Sequence, residues 1–105
     1  MSLVIVTTTL PTEEAAELLA TQLVEEELAA CVQVIGPIAS TYRWEGAIER
    51  SEEWYCHCKA AAPQRDALMA RIKELHPYEI PEIVAVLADA VGAEYLAWVK
   101  VLPEK

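Results

Sequence analysis

The chain has 105 residues, 54% of them apolar, and 17 acidic side chains against 8 basic give a formal net charge of −9. That length suits one domain covering residues 1–105. The charge, with no Lys/Arg cluster, argues against nucleic acid and anionic membrane as partners, since both need a cationic face.

Leu3–Thr9 is apolar and β-branched, which predicts a strand. Pro11 and Thr12 follow as breaker and N-cap, with Glu13 and Glu14 well placed in the first helical turn. Ala16, Leu19, Ala20 and Leu23 recur at helical spacing, so a first helix is expected to run to about Glu27. The run Glu25-Glu26-Glu27 reads as a solvated helix end. Cys31–Ile35 returns to strand character, and Gly36-Pro37 predicts a bulge or bend in an edge strand. Ser40–Trp44 resumes the alternation. Glu45-Gly46 with the polar run to Ser51 predicts a reversal, and Glu53–Lys59 the partner strand of a long hairpin. Pro63 opens a second helix with one apolar stripe, Leu68, Ile72 and Leu75, which Pro77 stops after His76. Ile83–Leu87 is a fourth strand, and Gly92 precedes a short last helix, Ala93–Val99.

The order βαββαβ plus a terminal helix predicts an α+β, ferredoxin-like fold: an antiparallel sheet with both long helices on one face. Its other face is then uncovered in a monomer. So high an apolar fraction leads us to expect another copy of the chain over that face or over the hairpin.

Three cysteines, an odd number without framework spacing, fit a reducing compartment. MSLVIVTTTLPTEE lacks the basic start of a signal peptide, and no apolar run approaches the ~20 residues of a membrane span. A cytoplasmic protein is expected.

The stretch Cys56-His57-Cys58 looks like a soft-metal site. In a strand, however, Cys56 and Cys58 point to one face while Tyr55, His57 and Lys59 point to the other. Two thiols at i and i+2 lie ~6.5–7 Å apart along the strand, beyond the ~4 Å between sulfurs of a tetrahedral site with ~2.3 Å bonds. Core packing is the expected role of this pair.

LAACVQVIGP (28–37), STYRWEG (40–46), the Glu53…Lys59 strand, HPYEIPEI (76–83) and EYLAWV (94–99) together resemble the CutA family, the divalent-cation-tolerance proteins. The similarity spans nearly the whole chain in the right order. It implies a ferredoxin-like fold, a homotrimer built on long hairpins, and a part in the response to copper and other divalent metals. Thr8 stands where some members have a cysteine, and Leu75 where some have a second histidine. Of the residues the family connects with copper, His76 remains.

His76, Glu79 and Glu82 lie on a loop stiffened by Pro77 and Pro81 and form the densest candidate site. His76 either caps the helix, where the dipole favours its cationic form, or joins Glu79 or Glu82 in an N/O metal site of the kind copper(II) or zinc accepts. Burial is the expected role of Cys31, which is still the best single soft ligand inside a family-like motif. Lys59 is either a solvated strand-end lysine or, as the resemblance implies, a pocket residue able to hold an anionic ligand. Tyr42, Trp44, Tyr78 and Trp98 either pack subunits together or line such a pocket. No nucleophile–base pair or phosphate-cradling loop is present, so catalysis is not expected. The expected function is a homotrimer that meets divalent ions, copper among them, without needing the metal to fold. The alternative is a small-ligand-binding trimer with a pocket between subunits, or a passive scaffold.

Overall fold

The computed structural model describes residues 2–101. The elements are β1 (Leu3–Leu10), α1 (Glu13–Glu25), β2 (Cys31–Trp44), β3 (Ala47–Ala61), a 3-10 turn (Ala62–Gln64), α2 (Arg65–Leu75), β4 (Ile83–Leu87) and α3 (Ala93–Val99). The sheet order is β2-β3-β1-β4, antiparallel throughout, which is the expected ferredoxin-like topology.

One face of the sheet carries the core. Val4, Val6 and Thr8 of β1 sit beside Ala60, Cys58 and Cys56 of β3, and all six are buried. Ala16, Leu19 and Leu23 from α1 and Leu68 and Ile72 from α2 close over them. Thr12 caps α1, its Oγ1 accepting from the Ala15 N–H at 3.0 Å. The helix ends two residues earlier than expected. Glu27 takes a left-handed φ of 59°, and the Leu28 and Glu27 N–H groups donate to Leu23 and Val24 carbonyls, each at 3.0 Å, which is a Schellman closure. The acidic run is therefore not simply solvated. Glu26 takes a two-pronged ion pair from Arg71 of α2, at 2.7 and 2.9 Å. That guanidinium holds the Glu26 carboxyl below the usual carboxylate range.

The hairpin is longer and its reversal tighter than the polar run implied. Only Glu45 and Gly46, with φ of 48° and 80°, separate β2 from β3. Positive φ at both positions is the two-residue geometry that matches strand twist.

The bulge at Gly36-Pro37 is present, and it decides what faces where. Ile35 pairs with Tyr55 and Ile38 with Glu53, so β2 takes three steps where β3 takes two. One extra residue flips the pleat. Before the bulge Cys31, Gln33 and Ile35 share the open face; beyond it Ile38, Ser40, Tyr42 and Trp44 do. Gly36 is required here, because a Cβ would lie 2.3 Å from Trp54 Cδ1.

Candidate functional site: a groove between the hairpin and the loop before β4

α2 stops at Leu75, and the chain crosses the end of β1 through residues 76–82 to begin β4. His76 anchors this crossing. Its Nε2 lies 2.9 Å from the Thr9 carbonyl oxygen and 3.0 Å from Thr8 Oγ1, while its Nδ1 accepts the Tyr78 N–H at 3.1 Å. A carbonyl only accepts, so Nε2 carries the proton and the ring is neutral. Burial lowers the His76 pKa, against opposing contributions from the Thr9 hydrogen bond and the Glu53 charge. The helix dipole therefore does not hold His76 in the cationic form, because desolvation outweighs it.

The His76 and Tyr78 rings meet at 4.9 Å. From there the Tyr78 hydroxyl donates to Glu53 Oε2 at 2.8 Å. Burial and this carboxylate together push the Tyr78 pKa upward, so the phenol stays protonated and keeps donating. Glu53 is only 8% exposed, and among the described residues Tyr78 is its one hydrogen-bond partner. The sequence reading assigned Glu53 no role. Its signal was its position, a carboxylate on the same pleat face as Tyr55 in a strand otherwise becoming apolar.

Tyr78 and Glu53 form part of the wall of a groove of about 1000 Å³. Tyr42, Trp44 and Tyr55 give it aromatic surface, Ile38, Ile80 and Pro81 aliphatic surface, and Glu82 a further carboxylate. Among the described residues, no lysine, arginine or histidine lines it. Ser51 Oγ donates to the Tyr42 hydroxyl at 3.3 Å, tying the two hairpin strands at the rim.

The sequence candidates thus divide into two groups. Tyr42, Trp44, Tyr78 and Glu82 meet at the groove, with His76 behind Tyr78 as the residue that positions it. Glu79 is exposed and lies outside the groove. Lys59, Cys31 and Trp98 belong elsewhere. Lys59 pairs across the strands with Cys31 and donates through Nζ to Gln33 Oε1. Tyr95 interacts with Cys31, and its ring stacks on Trp98 at 5.8 Å. Tyr55 and Lys59 are four residue steps apart on β3, roughly 13 Å at strand rise. A single chain therefore does not join Lys59 or Trp98 to the aromatic groove.

The Cys56-His57-Cys58 stretch splits as strand alternation requires. Both cysteines are fully buried, and Cys56 donates to the Ala16 carbonyl at 3.5 Å. Burial pushes their thiols up, to about 11 and about 12. His57 lies on the open face, 3.1 Å from Thr7 Oγ1 and stacked on Tyr55. Among the described residues no three His, Cys, Asp or Glu side chains gather as metal ligands.

Fold and site together define the class, a ferredoxin-like α+β domain with a carboxylate- and aromatic-lined groove at its hairpin. A family model described as CutA1 divalent ion tolerance protein matches residues 4–101. A divalent-cation tolerance protein CutA from Thermus thermophilus is 41% identical over 96 residues, covering 91% of this chain and 93% of that protein. The crystal structure of CutA from Xylella fastidiosa superposes with a TM-score of 0.92 at 37% identity, covering 96% of this chain and 97% of that one. A structure from Archaeoglobus fulgidus, titled a periplasmic divalent cation tolerance protein CutA, gives 0.90 at 32% identity over 94% of this chain and 96% of its own. The chain belongs to the CutA divalent-cation tolerance family.

Proposed function

We propose that this chain works as a cytoplasmic, non-enzymatic homotrimer that responds to copper and other divalent ions by contacting them at the groove. The supporting observation is Glu53. A carboxylate buried with one phenolic donor and no cation beside it gains from an incoming positive charge, and Glu82 lines the same groove. In this reading the ion meets few protein oxygens and keeps water in its remaining positions. His76 positions Tyr78 and is not a ligand, because binding through either nitrogen displaces a hydrogen bond already made. Calorimetric titration of Cu(II), Zn(II) and Cd(II) tests this. Uptake should fall in Glu53→Gln and Glu82→Gln and persist in His76→Gln; equal, negligible uptake by all of them ends the reading. Light scattering should give three times the 11.6 kDa chain mass.

A second reading, a small-ligand-binding trimer, is favoured by the groove's size and walls. About 1000 Å³ is at the upper end of organic-ligand sites, roughly 300–1,000 Å³ and mostly apolar with a few placed polar groups.

A further inference from the structure

Resting on that second reading, we infer that the groove takes an organic cation: a protonated amine carried on a hydrocarbon body. The sign of the charge follows from the lining. Glu53 and Glu82 line the groove and, among the described residues, no lysine, arginine or histidine does, so within one chain an anion would meet like charge with nothing to offset it. Lys59, from which an anionic ligand was expected, bonds Gln33 in another part of the sheet and does not reach this groove within one chain.

Glu53 sets where the cation goes. The Tyr78 hydroxyl occupies Oε2 and turns the carboxylate in place, while no described residue bonds Oε1. The residue is more than nine-tenths buried and still lines the groove. An ammonium group brings several N–H donors and a full charge to that oxygen, and charge-assisted bonds of this kind are about twice as strong as neutral ones.

The body of the ligand follows from the remaining walls. Tyr42 and Trp44 are 43% and 44% exposed on the same face, brought there by the one-residue bulge. Aromatic faces attract cations as well as alkyl groups. Together with Ile38, Ile80 and Pro81 they line the groove with apolar surface, which suits methylene groups beside an amine.

Hexylammonium, hexanoate and 1-hexanol share a tail and differ in charge, so together they test the inference. In aromatic NMR spectra, hexylammonium should shift Tyr42, Trp44 and Tyr78 signals saturably, and hexanoate should not. Glu53→Gln should weaken hexylammonium roughly tenfold and Glu82→Gln, at the exposed rim, roughly threefold. Lys59→Ala should change nothing. Circular dichroism verifies folding, and Glu82→Gln, at an exposed position, serves if Glu53→Gln unfolds. If none of the three compounds moves these signals, the small-ligand reading itself fails. If hexanoate or hexanol binds as well as hexylammonium, the groove is a ligand site but the cation assignment is overturned. Binding that survives both carboxylate substitutions unchanged also overturns it.

Discussion

The two faces of β3 are built from one stretch of chain and do opposite things. Trp54, Cys56, Cys58 and Ala60 turn toward α1 and α2, where the last three are almost wholly excluded from solvent. Glu53, Tyr55, His57 and Lys59 turn the other way and carry nearly all of that stretch's polar contacts. Chemistry that looks concentrated in Cys56-His57-Cys58 is dispersed by a period of two. Proximity in sequence is therefore a poor guide to a site on a strand, and shared parity is a better one.

The contrast can be strained from both sides. Leu68→Ala on the covered side removes a fully buried side chain and should cost about 3 kcal/mol in urea unfolding. Val86→Ala on the open side, 56% exposed, should stay within about 0.5 kcal/mol as a monomer-level effect; a larger loss would show that face covered by another copy. Gly36→Ala forces a methyl onto Trp54 and should cost about 1–3 kcal/mol. Tyr78→Phe leaves the buried Glu53 carboxylate without its donor and should cost about 1–3 kcal/mol, while narrow changes in the core signals confine the effect to the groove.

His76 gives the same groove wall a pH dependence. Its folded pKa is lowered, so the unfolded chain binds more protons as pH falls. The stability that neutral His76 provides is complete above the ordinary value near 6.5 and is lost as pH drops below it. Urea midpoints between pH 7.5 and 5.5 should fall more steeply for the wild type than for His76→Gln. Smallest of all, Glu27→Gly relieves a left-handed residue at φ 59° and should raise stability by about 0.5–1 kcal/mol.

Much of the fold was legible because local chemistry dictates it. Thr12 as cap, the Ala16–Leu19–Leu23 stripe, the stop at His76-Pro77, and the bounds of β4 and α3 all agree with the structure. The hairpin was read too short at its tip. Glu49 to Ser51 are polar because both faces of a projecting strand are wet there, and polarity alone imitates a loop. At the site, the 76–82 segment was legible from its two prolines, and Tyr42 and Trp44 from their motif. Glu53 was not, since its partner Tyr78 lies 25 residues on and only the crossing over β1 brings them together. Lys59 and Trp98, expected at a pocket between subunits, lie apart from the groove within one chain, and nothing local in a sequence says which end of a sheet a residue occupies. The bulge was read as an irregularity, yet its consequence, placing Tyr42 and Trp44 on the face of Glu53, needed the register.

Cysteine alkylation by iodoacetamide, followed by mass spectrometry across a urea series, tests the division of β3 most directly. With thiols pushed up to about 11 and about 12 and no exposure, Cys56 and Cys58 should be modified only as the chain unfolds, in step with the circular-dichroism transition. Modification of either one in the native protein, well below that transition, would contradict their assignment to the core.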